Sequence, residues 1–543
     1  MVELIKPKEW KKYIIAALIF TVVFTLMEIV PPIVSMNKHE YGGKAIAKSA
    51  AEETATAFTE KQTGLKVESA RAIHQADKLL TGYLAKEKLT EDYDKEFGKR
   101  FPLDMFQVNL ELEGDSYGFV YIHLYSGDIV GWNLVGVGEP VGIDETYFLN
   151  SSFLVNDQSF KTDELDQGSL NHDEEYSVNP IGYKIGKAAL DVTTIAKQVN
   201  GNLVITKYKP EFVVPDDYKS YVKGQDQIGG WLTGIGYGLM SFILAILAII
   251  YAIIYRKHTS FKYGIILTAI FLIAYIIMNL GVMDGVIASQ GEIRMEQFLV
   301  ISIAITTIVL AVAMAVSVYF SLVAGDGLWK SQGRQLWPRL RDAGYGDYVW
   351  RSVGLSYLFA LIMLGVQPII FLALEKLIGT WGANDVSMSP YNMSVLWLMP
   401  VLAWAAAISE EAIFRFFGIG LFRKWFRHTF AAAILPTLFW ALGHVMYPFY
   451  PSTTRLFELM IIGLLFSFIF VRYGFITAMF THAIFNSVAV GSSLIMVGGA
   501  DNIASAIIFI LLPIPIGYLL KLWSKRKRTN PPVNPEFHPA EQQ

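Results

Sequence analysis

Three short stretches carry side chains that do not belong in hydrocarbon. The first, Ala405-Ala406-Ala407-Ile408-Ser409-Glu410-Glu411-Ala412-Ile413-Phe414-Arg415, sets two adjacent carboxylates in an apolar run. Neighbouring acids repel, and a helix resolves the conflict: Arg415 falls four residues after Glu411 on the same face, while Glu410 points about 100° away. Glu411 and Arg415 can then pair, which leaves Glu410 free to take a proton from water as a general base. The second stretch places Trp440 and His444 at i and i+4. The third does the same with His482 and Asn486 in Thr481-His482-Ala483-Ile484-Phe485-Asn486. Alone, either histidine reads as a satisfied core residue and Trp440 as aromatic packing. Together, two Glu, two His, an Arg and an Asn on three nearby apolar segments are hard to explain as packing, because apolar side chains fill such space more cheaply.

The elements that must position these groups are membrane spans. A bilayer core of ~30 Å takes ~20 mostly apolar residues per helix. Ten runs qualify, at roughly 13–34, 231–255, 264–282, 298–324, 352–375, 393–420, 429–446, 455–471, 475–498 and 502–520. With the basic hairpin Arg423 to His428 as reference and ~1.5 Å per residue, Glu410 lies about 20 Å deep and His444 about 24 Å. His482 lies about 15 Å from Arg472, so all three can meet inside the membrane. Basic residues in short loops stay cytoplasmic. Strict alternation puts 21 Lys and Arg on one side, from Lys6 to Arg528, against Arg294, Lys376 and Arg455 on the other. Both termini are therefore expected in the cytoplasm. The first run ends in Pro31-Pro32 without a small-x-small cleavage pattern, so it reads as a retained anchor that delivers residues 36–230 to the outer side.

Composition agrees with a multi-pass cell-membrane protein. Of 543 residues, 53% are hydrophobic and 17% charged, too apolar for one soluble globule. The absence of cysteine rules out disulfides, thiolate metal sites and cysteine nucleophiles, so any metal must sit on His, Asp, Glu or Asn. Residues 36–230 hold 20 Lys and Arg against 31 Asp and Glu, and the remainder 25 against 17. An acidic insert in a basic membrane body offers no nucleic-acid footprint. The fold class is thus an all-α polytopic membrane protein of about ten helices, with an α+β extracytoplasmic domain between the first and second. Within that domain helices are expected at Ala45–Phe58 and Val67–Lys86. Alternating strands follow at Phe106–Leu112 and Gly118–Val130, and a second round runs from Tyr183 to Val214. Its layout faintly resembles a PepSY-type module and carries no recognisable chemistry, as suits a binding or sensing domain of unknown partner. The divisions are an anchor (1–35), this domain (36–230), helices with a basic loop (231–350), a core (351–520) and a disordered basic tail (521–543) that contacts anionic lipid. Glu28, Glu375 and Glu458 sit near span ends and read as structural, the last paired with Arg455.

Order and spacing of the three stretches resemble the CAAX protease and bacteriocin-processing family (CPBP, or Abi) of intramembrane peptidases. Glu410-Glu411-Ala412-Ile413-Phe414-Arg415 matches EExxxR, Trp440 to His444 approximates FxxxH with Trp for Phe, and His482 to Asn486 matches HxxxN. The likeness covers roughly residues 350–520. It implies an endopeptidase acting on a membrane-associated protein or peptide, in which Glu410 activates a water that His444 helps position. His482 and Asn486 would bind the metal or water and stabilise the oxyanion, while Glu411, Arg415 and Trp440 play supporting roles. A divalent metal, Zn²⁺ before others, would sit on Glu410, His444 and His482 and lower the pKa of its water; a metal-free mechanism stays open. No HExxH occurs, so the zincin arrangement is out. Two other classes compete: a non-catalytic scaffold or sensor holding a partner protein, and a proton-coupled transporter, for which no inverted repeat is evident.

Overall fold

The computed structural model describes residues 7–36, 44–165, 169–170 and 175–526. The tail expected to be disordered lies, beyond residue 526, outside the described residues. The chain is mostly helical, with a β-sheet region in its N-terminal half. Among the described residues seven helices are long and apolar enough to cross a membrane: Lys8–Val34, Asp216–Ile254, Gln297–Ser331, Tyr345–Ile378, Leu396–Phe426, Thr454–Tyr473 and Phe475–Val497. The last expected span is a pair, Ala500–Leu511 and Pro513–Lys525, bent by 44°; Pro513 brings no N–H to continue the helix. Two further expected spans, Ile265–Gly281 and Thr429–Leu442, are apolar but shorter. The ten runs are all helical, yet seven pass as full spans, or eight with the bent pair.

Two boundaries differ from expectation. No break falls at residue 230: the last helix of the N-terminal domain, Asp216–Trp231, runs through a π-helical stretch, Leu232–Leu239, into Met240–Ile254. Helix Thr429–Leu442 stops at Gly443, so His444 stands in the following turn rather than on the helix. There the amides of Gly443 and His444 bond to the carbonyls of Trp440 and Ala441, a tightened last turn.

Between the first two spans lies one antiparallel sheet. Its strands run in the order Val67–Ala76, Asp104–Leu112, Tyr117–His123, Ile129–Val135, Asn202–Val213, Ala188–Val199, Tyr176–Val178 and Ser169–Leu170. Helix Lys48–Thr63 covers one face, its Ala51 and Ala55 fully buried. The helix expected at Val67–Lys86 is instead a strand, Val67–Ala76, followed by helix Lys78–Glu87. Pairing with Asp104–Leu112 overrides the local preference. Asp77 marks the true helix start, its carboxylate accepting the amides of Leu79 and Leu80.

Ion pairs and hydrogen bonds fasten this domain to one end of the bundle. Asp284 takes Lys48 at 2.7 Å and Arg71 at 2.5 Å. Glu292 accepts from Tyr121 at 2.6 Å and Asn133 at 2.7 Å, with Lys209 at 3.2 Å. Asn392 exchanges two hydrogen bonds with the His74 backbone, at 2.7 and 3.0 Å. Basic residues gather at the far end of the same helices, where Arg472 pairs with Glu9 and where Lys330 and Arg339 share Asp326.

Candidate active site

Residue packing inside the bundle builds the site from four segments. Helix Val401–Glu410 ends on Glu410, and the chain continues as a π-helix, Glu411–Ile419, every residue of which is buried. A π-segment widens the helix and redirects side chains, which is why such segments recur at functional positions. Here it turns Glu411 and Arg415 into the core as a pair, Nη1 to Oε1 at 3.3 Å, both fully buried. The guanidinium lies 4.1 Å over the Trp440 ring, a cation–π contact. Hydrogen bonding around the pair is incomplete: the three Arg415 nitrogens and Glu411 Oε2 find no hydrogen-bond partner among the described residues. Polar groups so buried and so poorly satisfied are costly as mere structure.

Each histidine is oriented by a group that can only accept. His444 Nδ1 lies 2.9 Å from the Trp440 carbonyl oxygen. His482 Nδ1 lies 2.9 Å from Glu411 Oε1. A carbonyl or carboxylate takes the N–H at Nδ1, so in the matching neutral tautomer each Nε2 is the acceptor. Both of these nitrogens face Glu410: His444 Nε2 is 3.9 Å from Oε1 and His482 Nε2 is 3.7 Å from Oε2. These separations are too long for direct hydrogen bonds. The Trp440 indole N–H donates to Glu410 Oε2 and fixes the carboxylate. Glu410 and His444 are each about one-fifth exposed, whereas His482 is 3% exposed. Asn486, one turn beyond His482 and half-buried, makes no hydrogen bond among the described residues.

The structure thus brings Glu410, Glu411, Arg415, Trp440, His444 and His482 together, and sets Asn486 beside them on the helix that carries His482. Glu411 does more than pair with Arg415, since it also holds His482. A residue without sequence signal joins them: Phe466, from Thr454–Tyr473, stacks on His482 at 4.5 Å. One Phe among many in an apolar span cannot be singled out beforehand. Glu458 meets Arg455 at 2.9 Å and accepts from Gln367 at 2.9 Å, and Glu375 pairs with Lys88 at 3.0 Å. Glu28 lies exposed in a π-helical stretch of the first helix.

As to a metal, no group of three or more His, Asp or Glu side chains among the described residues is arranged to hold one. Each imidazole Nε2 approaches a different oxygen of Glu410, at 3.9 Å for His444 and 3.7 Å for His482.

Apolar spans around an embedded cluster of Glu and His define a multi-pass membrane protein. Residues 392–488 match a family model described as type II CAAX prenyl endopeptidase Rce1-like, in agreement with the family that the three motifs resemble. The matched segment spans all three motifs. No curated protein and no solved structure matches the chain.

Proposed function

We propose that this protein is an intramembrane endopeptidase that hydrolyses a peptide bond of a membrane-associated protein or peptide. The observation that carries the reading is the convergence of the two imidazole Nε2 atoms on Glu410, at 3.7 and 3.9 Å. Acceptors at such distances cannot bond to one another, but a water donating to Glu410 and to one Nε2 satisfies both. Glu410 then takes the water proton as the oxygen attacks the scissile carbonyl carbon, and His444 Nε2 aligns the remaining O–H. Asn486, one turn from His482, donates its amide N–H to the tetrahedral oxyanion. Collapse breaks the C–N bond while protonated Glu410 returns the proton to the leaving amine. His482, held by Glu411 and Phe466, fixes the far side of the carboxylate.

The family description supports endopeptidase chemistry and says nothing of whether substrates of this chain are prenylated. For orientation we adopt the side given by the basic loops: both termini cytoplasmic, and the β-sheet domain, fastened at the opposite end, extracytoplasmic. The test compares membrane and medium peptides from cells carrying wild type or Glu410→Ala at matched protein levels. Truncated peptides found only with wild type are expected, and they would give the cleavage sequences. Coincident profiles, with the deletion phenotype rescued by Glu410→Ala, would instead establish a scaffold or sensor that uses its docked domain to hold a partner.

A further inference from the structure

Helix Thr429–Leu442 ends before His444, and its last turn holds the Gly443 and His444 amides on the Trp440 and Ala441 carbonyls. Further contacts to this turn come from outside the family-matched segment. Helix Asp216–Ile254, the continuation of the N-terminal domain, lies along this turn and touches it repeatedly. Thr233 Oγ1 donates to the Leu442 carbonyl at 3.2 Å. The Tyr237 ring lies against Gly443, so close that a Cβ there would meet three of its atoms at 2.7–2.9 Å. The same ring packs on Phe414, inside the EExxxR stretch, at 6.1 Å between centroids. Further up the helix, Gln225 accepts from the Ser452 amide at 2.9 Å, and Asp226 accepts from the Tyr450 hydroxyl at 2.7 Å. Asp226 also pairs with Lys78 of the β-sheet domain at 2.9 Å. The connection from Leu442 to Ser452 is therefore gripped along its length by one helix.

We propose that Tyr237 is a positioning residue of the hydrolytic site, its ring clamping the Gly443–His444 turn so that His444 Nε2 faces Glu410. This rests on the reading of Glu410 and His444 as hydrolytic groups. Only a residue without Cβ allows this approach of the ring, which accounts for glycine at 443. The helix supplying that ring is widened into a π-segment at Leu232–Leu239, around Tyr237 itself. A hydrolytic arrangement split between two regions of the chain is the result: the acid and the imidazoles come from the matched segment, and the clamp comes from the helix that leaves the β-sheet domain.

The test uses the full chain in lipid discs and two readouts: amide exchange of residues 442–447, and turnover of a peptide recovered by the comparison with Glu410→Ala. Tyr237→Leu is expected to speed exchange of those amides about tenfold or more and to lower kcat at least about tenfold, with KM little changed, because small misplacements of a reacting group are expensive. Tyr237→Phe keeps the ring and is expected to retain wild-type exchange and kcat. Gly443→Ala drives a methyl into the ring and should reproduce the loss, and the double variant Gly443→Ala/Tyr237→Leu should be no worse than either single. Unchanged kcat in Tyr237→Leu, additive losses in the double variant, or loss of kcat in Tyr237→Phe at normal exchange would each overturn the clamp. Coincident peptide profiles from wild type and Glu410→Ala would sink the hydrolytic reading itself, a separate result.

Discussion

Glu410 stands between the Nε2 atoms of His444 and His482 and takes the Trp440 indole N–H, and that determines what its removal does. Glu410→Ala, His444→Ala and His482→Ala are each expected to lower cleavage by a factor of about 10² to 10⁴, the span of general acid–base contributions, with membrane levels unchanged. Peptide release measured against protein quantified in the membrane fraction checks this, and equal loss of protein in all three would defeat it. Glu411→Ala belongs to another class, because it strands the buried Arg415 charge and frees His482 Nδ1. Breaking a buried pair costs about 3–5 kcal/mol, so thermal unfolding in detergent should shift markedly downward, and Arg415→Met added to Glu411→Leu should recover much of it. Chelation is expected to leave cleavage intact; loss restored by Zn²⁺ would put a metal at Glu410. In the sequence, the i and i+4 spacing disclosed the pairs on each helix. The bond from Glu411 to His482 joins residues 71 apart, and no local pattern can show that an acid already paired with Arg415 reaches a second span.

Helices were legible as apolar runs, but their ends and irregularities were not. Apolarity reads the same in a helix that stops at Leu442 and in one that continues, so the departure of His444 from the helix was hidden. Likewise, the π-segment at Glu411–Ile419 depends on what its side chains meet, not on their types. The strand Val67–Ala76 exists because Asp104–Leu112 lies beside it. Close packing between elements gives a test at this scale. Gly463, on Thr454–Tyr473, lies where a Cβ would meet Thr437 Cγ2 at 2.6 Å and the Trp440 ring at 2.7 Å. Overpacking costs typically about 1–3 kcal/mol, and here the displaced ring is the one whose N–H holds Glu410. Gly463→Ala is expected to lower cleavage by about tenfold or more, beyond what its fall in unfolding temperature explains; proportionate losses would place the effect on folding alone.

The whole molecule is held together by its charged seam between sheet and bundle. Burial pushes the Glu292 carboxyl up, but Lys209 beside it and hydrogen bonds from Tyr121 and Asn133 more than offset this and hold it below its ordinary 4.5. A lowered folded-state value stabilises docking fully above the ordinary range, and the contribution is lost as pH falls through the folded value, below about 4.5. Amide exchange in residues 289–296 is therefore expected to quicken at acid pH, and Glu292→Gln should show the loosened pattern already at pH 7; an identical profile for variant and wild type would remove Glu292 from the seam. Segregation of acidic and basic residues hinted at two ends, but the partners across the seam lie far apart in sequence and could not be paired by eye. The depth of Glu410 also acts as a ruler. Its helix runs 13 residues to Arg423, most of them in the widened π-segment Glu411–Ile419, so the span is somewhat less than the about 20 Å that 1.5 Å per residue gives, and an extended strand covers it in about five or six residues at ~3.3 Å each. On the proposed reading, a substrate chain lying extended in the site would be cut about five or six residues from the point where it emerges at the basic face, so length as well as recognition would set the cut.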